Sequence, residues 1–162
     1  MIATLAHGLA ALAPAVLYLS ALVVMDSYKL VKLRAVLLAL AAGCVAAAAC
    51  RILNVQLLEL TGMDLRVFAR YVAPPLEEVA KAAYVAYVIR SGRAGFAVDA
   101  AILGFAVGAG FGLLENVFYL RDLGDAGLLT WLLRGCGTAL MHGGATAIPA
   151  IVAQGRQERR PG

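Results

Sequence analysis

Five long apolar runs separated by short polar stretches account for most of the chain, at about residues 5–25, 34–53, 71–90, 97–120 and 128–153. Each is near the length at which a helix rising 1.5 Å per residue crosses a hydrocarbon core of about 30 Å. The pattern predicts an all-α, polytopic membrane protein, a bundle of about five transmembrane helices. Between the second and third runs, Asn54 to Arg70 mixes Leu57, Leu60, Leu65 and Phe68 with Glu59, Asp64, Arg66 and Arg70, which predicts an additional interfacial helix. No basic segment precedes the first apolar run, so it reads as a retained helix rather than a cleaved signal. Residues 1–155 form a single transmembrane domain in this reading, and 156–162 a short basic cytoplasmic tail that is solvated and partly disordered.

Composition strengthens the membrane assignment. With 62% hydrophobic residues, 15% charged residues and a mean hydropathy of +0.84, the chain is too apolar for a soluble domain of 162 residues. Lys29, Lys32, Arg34, Arg90, Arg93, Arg156, Arg159 and Arg160 fall on one side of a five-span topology, against Arg51, Arg66, Arg70 and Arg121 on the other. Basic loops stay cytoplasmic, so the N-terminus is expected outside and the C-terminus inside. The net charge of +4 then needs no nucleic-acid partner; the lipid bilayer is the implied surroundings. Cys44, Cys50 and Cys136 lie inside apolar runs without CxxC spacing and read as small buried residues.

Several polar residues interrupt the runs. Glu77, Glu78 and Lys81 stand in the third, just after Pro74-Pro75, whose missing donors mark a break tolerated where freed carbonyls meet protein or water. An ionisable group at the bilayer centre costs about 2.5–3.5 kcal/mol, so these side chains must face a protein-walled or watery interior. Spacing of one turn predicts a Glu77–Lys81 ion pair, with Glu78 turned about 100° away. In the fourth run Gly104, Gly108 and Gly112 recur every fourth residue and predict a close helix-packing face, with Glu115 near it. The fifth carries His142, flanked by Gly143, Gly144 and Thr146, and Arg134, which either snorkels outward or pairs with a carboxylate. Counting turns from the outer face places His142 deepest, in a site that opens to the extracytoplasmic half. Asp99 and His7 read as structural.

Glu77-Glu78-x-x-Lys81, Phe111-x-x-x-Glu115 and His142 together resemble the motifs of the PrsW family of intramembrane proteases, over roughly residues 70–150. That family is related to the type II CAAX prenyl proteases and Abi proteins, which carry His where this chain has Glu115. The resemblance implies an integral protein of the bacterial cell membrane that cleaves a transmembrane protein substrate, an anti-sigma factor for example, on its extracytoplasmic side. It implies Glu77, Glu78, Glu115 and His142 as catalytic residues, with Lys81, Phe111 and Asn116 in support. One of Glu77 or Glu78 would be the general base on a water, Glu77 being favoured by resemblance to the first Glu of the related motif, with His142 an oxyanion donor and Glu115 a holder of the water or a donor to the carbonyl. No metal or other cofactor is expected in this mechanism. Zinc held by Glu, Glu and His is the lesser alternative, since no HExxH spacing is present. A non-catalytic scaffold that holds substrate and a small transporter are the other classes open; the intact glutamate pair speaks against the first, and the lack of an inverted repeat against the second.

Overall fold

The structure, a computed structural model, describes residues 2–26, 31–122 and 126–159. Lys29 and Arg160, used above for orientation, and the middle of the short loop between Arg121 and Gly127 lie outside the described residues. The described residues form six helices: α1 (Ile2–Met25), α2 (Leu33–Thr61), α3 (Leu65–Tyr71), α4 (Ala73–Arg90), α5 (Ala97–Asp122) and α6 (Leu128–Glu158). Four of them, α1, α2, α5 and α6, are long and apolar enough to cross a membrane. The third expected span is present as α4, but Glu77, Glu78, Lys81 and Arg90 within 18 residues take it out of that apolar class. At about 27 Å it is still close to the hydrocarbon thickness.

The segment between the second and third spans differs from expectation. Asn54–Thr61 belong to α2, because Asn54, Gln56 and Glu59 do not stop a helix; Gly62 does, in the left-handed conformation (φ 60°) with its N–H donated to Leu58 O. Only Leu65–Tyr71 form the separate helix, which starts where the Asp64 carboxylate accepts from the N–H groups of Arg66 and Val67 at 2.9 and 3.2 Å. One residue, Val72, joins α3 to α4, and Pro74 and Pro75 fall in the first turn of α4. There a backbone donor has no intrahelical partner to lose, so the prolines initiate the helix instead of breaking it. At the other end of the chain α6 continues past residue 153 to Glu158, and Gln157 Nε2 donates to Ile89 O; the first residues of the expected tail are therefore helix packed on α4.

Contacts fix the helix directions. Lys81 meets His142 and Ile89 meets Gln157, so α4 runs parallel to α6. Leu40 lies against Gly110 and Arg51 against Asp122, so α2 runs parallel to α5. His7 faces Trp131 and Ala10 faces Gly135, which aligns α1 with α6. The α5–α6 pair is antiparallel, with Gly112, Gly108 and Gly104 meeting Thr138, His142 and Thr146 in turn. Successive long helices therefore alternate up and down through α1, α2, α4, α5 and α6.

Helix α5 is the buried axis of the bundle, and its small residues make that burial possible. The Gly104, Gly108 and Gly112 face packs on α6, while Gly110 on another face approaches Leu40 of α2, and Gly43 of α2 approaches Val107 in return. A Cβ at Gly108 would collide with the His142 carbonyl, and one at Gly110 with that of Leu40, so these helices meet backbone to backbone. Asp99, buried at the start of α5, accepts from the N–H groups of Gly95 and Phe96 at 2.9 and 3.1 Å and closes that end, a structural role.

Gly108→Ala should destabilise the bundle by about 1–3 kcal/mol through overpacking against a backbone that cannot yield. Gly144→Ala, where an added methyl meets nothing within 4 Å, should leave the thermal midpoint in detergent unchanged; thermal melts of the two variants check the contrast.

Candidate active site

Three helices each bring one motif to a common point. Lys81 of α4 has no exposed surface, although it carries a compact, strongly hydrated charge. Its ammonium donates to Glu78 Oε1 at 2.5 Å, lies 3.2 Å from His142 Nδ1, and stands 4.9 Å from the centre of the Phe111 ring. The (i, i+4) partner expected from spacing is therefore replaced by the (i, i+3) one. Lys81 leans from α4 toward α6, and the carboxylate that reaches it is that of Glu78, whose side chain is 47% exposed.

The pairing settles the state of the imidazole. A protonated lysine has donors and no acceptor, so His142 Nδ1 must accept from it. The remaining proton of a neutral ring is then on Nε2, which lies 2.8 Å from Glu115 Oε2 and donates to it. Glu115 Oε1 accepts from Arg134 Nη2 at 3.3 Å, and the Arg134 guanidinium lies 3.5 Å from the centre of the Tyr119 ring. A continuous relay of charge-assisted bonds thus runs Glu78, Lys81, His142, Glu115, Arg134 across α4, α5 and α6. Phe111 packs on His142 with ring centres 5.1 Å apart.

Glu77 is left out of this relay. It has no hydrogen bond or ion pair among the described residues, although Glu115, His142 and Lys81 are within electrostatic reach. Its carboxylate lines a cleft of about 480 Å³ enclosed by the end of α2, α3, the start of α4 and the end of α5. Glu115 lines the same cleft. The uncommitted acid thus faces open space while the oxygens of its neighbours are engaged.

The remaining expected residues fall outside this cluster or take other parts. Asn116 is buried and its Nδ2 donates to Ala11 O at 2.8 Å and Thr138 Oγ1 at 2.9 Å, tying α1, α5 and α6 together. Thr146 Oγ1 donates to His142 O within its own helix. Of the two glycines after His142, Gly143 is filled by the Phe105 ring and Gly144 is open. His142 is not deeper than Glu115 but level with it, since the two are bonded. The count from helix ends misleads because α6 starts beyond the end of α5: Glu115 is seven residues from Asp122, His142 fourteen from Leu128.

Three cleft residues escape a reading based on motifs. Tyr119 is four residues past Glu115 and shares its face, a spacing signal present in the sequence. Cys50 and Arg51 lie on α2, far from every motif, and come to the cleft only through α2–α5 packing.

A family model described as PrsW family intramembrane metalloprotease matches residues 28–160. No curated protein and no solved structure matches the chain. That description includes a metal, and the donors do not fit one as arranged. Both nitrogens of His142 and both oxygens of Glu115 are engaged by protein partners, an ammonium abuts the imidazole, and no three of His, Cys, Asp and Glu converge among the described residues.

Nitrogen-15 NMR of histidine-labelled protein should show His142 as the neutral Nε2–H tautomer at neutral pH. Lys81→Met should release that preference while His7 is unchanged; an unaltered His142 spectrum in the variant would count against the lysine as its cause.

Proposed function

The chain belongs to the PrsW family of intramembrane proteases, and on that premise we propose that it is a glutamate-dependent, metal-independent endopeptidase with Glu77 as general base. The observation that carries this reading is the division of labour among the carboxylates. Glu78 is spent on the buried Lys81 and Glu115 on His142 and Arg134, whereas Glu77 faces the cleft without a hydrogen-bond partner among the described residues.

Glu77 takes a proton from a water that attacks the scissile carbonyl carbon. As the new carbon–oxygen bond forms, negative charge moves to the carbonyl oxygen. The His142 Nε2–H is the donor to that charge, with Lys81 holding the ring through Nδ1, and Glu115 retains Arg134 when the imidazole turns its proton to the oxyanion. One such donor is typically worth about 2.7–4 kcal/mol in the transition state. The carbon–nitrogen bond then breaks, and the proton held by Glu77 passes to the leaving amine. Buried among helices, the charges act with little screening by water, which is what makes a preorganised relay effective.

The substrate in this reading is a membrane-bound protein, an anti-sigma factor among the candidates, cut near the extracytoplasmic face. The distribution of basic residues supports the side. The cleft lies where α2 and α5 end and α4 begins, the end flanked by Arg51, Arg66, Arg70 and Arg121, which is the less basic of the two. The alternation of helix directions places the chain termini on opposite sides, in keeping with an outer N-terminus and a cytoplasmic C-terminus if α4 is a full crossing.

Purified protein should cleave single-span membrane substrates, and Glu77→Gln should lower kcat by about 10²–10⁴-fold. Chelator should leave the wild-type rate unchanged. A Glu77→Gln protein of normal rate would remove the glutamate base, and a rate lost to chelator and restored by zinc would make the enzyme a metalloprotease.

A further inference from the structure

The cleft beside Glu77 carries a charge that the proposed chemistry does not use. Its walls are mostly apolar, from Ala47, Cys50, Leu58, Phe68, Phe111 and Phe118, and its charged residues are Glu77, Glu115 and Arg51. Two carboxylates at the reacting end disfavour an anion there, so the one basic residue on the lining creates a polarity along the cleft. Arg51 is held over the Phe118 ring at 4.5 Å. Its ion pair with Asp122 is long, 3.8 Å, between side chains 51% and 58% exposed, and such a pair holds a guanidinium only weakly. No hydrogen bond from the Arg51 side chain forms among the described residues, so the donors of its fork are available to a ligand.

We infer that Arg51 is a specificity determinant that selects substrates with an acidic side chain one or two residues from the scissile bond, on the side facing the ends of α2 and α5. The inference rests on the endopeptidase reading above and adds the charge of the substrate. Distance sets the position. Phe118, which seats the guanidinium, is three residues beyond Glu115 on α5, about 4.5 Å along the axis. An extended peptide advances about 3.3 Å per residue, so a side chain one or two residues from the attacked carbonyl reaches the guanidinium. A carboxylate arriving there meets a planar fork whose geometry matches it in two parallel bonds.

The test uses the full-length protein in detergent and in vesicles of neutral or anionic lipid, with a single-span substrate series bearing Asp, Asn or Lys at each position flanking the cut. Wild type should process the Asp substrate with a kcat/KM about tenfold above its Asn isostere at one or two adjacent positions on one side only. Arg51→Gln should erase the difference, and Arg51→Glu should transfer the preference to the Lys substrate, a gain that a misfolded variant cannot produce. Equal rates for Asp and Asn at every position, or a preference that survives Arg51→Gln, overturn the inference while leaving the endopeptidase reading intact. A rate that follows anionic lipid and ignores substrate charge also overturns it and assigns Arg51 to phosphate headgroups. Absence of cleavage for every substrate removes both readings.

Discussion

A lysine ammonium with no access to solvent is the constraint around which the rest of this bundle is arranged. Removing a charge of that size from water is tolerated only if partners replace the hydration shell. Lys81 finds them on its own helix, in Glu78, and on a neighbouring helix, in His142, with the Phe111 ring of a third helix against it. Each partner lies on a different helix, so satisfying one side chain fixes the relative height of α4, α5 and α6. The same bonds assign the imidazole proton and align it with Glu115, and the Arg134 guanidinium closes the far end of the relay. Charge satisfaction and site geometry are here the same set of contacts.

The glycines supply the proximity that the relay needs. Side-chain bonds of 2.8–3.3 Å between α5 and α6 require helix axes closer than Leu or Phe at the contact would allow. Gly108 and Gly112 sit on α5 just before Glu115 and lie against His142 itself, one against its backbone and one against its ring. Packing on the other side of α5, through Gly110 and Gly43, brings α2 near enough to wall the cleft. Glu77 is then presented to a cavity whose walls belong to four helices, and which meets the relay at Glu115.

The helical architecture was legible because apolar run length reports directly on membrane crossing. Its boundaries were legible where the apolar run itself ends, as at Arg90 and Ala97, and misread where the mixed polarity from Asn54 to Arg70 suggested one interfacial helix although Gly62 ends α2 within it. The candidate site was legible as a set of residue types on three helices, since charged groups in apolar surroundings are conspicuous. Its internal pairing was not. Glu77 and Glu78 are both within helical reach of Lys81, and nothing local chooses between three and four residues of separation.

The sequence by itself determined that the chain is an all-α membrane protein and which helices carry the ionisable groups, because each follows from hydration energies that depend on residue type and run length alone. Tertiary structure decided which carboxylate serves the lysine and which lines the cleft without a hydrogen-bond partner among the described residues, that His142 stands level with Glu115, and that Arg51 enters the cleft. These depend on the register of one helix against another. That register is set by backbone contacts at Gly43, Gly108 and Gly110, whose partners are distant in the chain and leave no mark on the local pattern.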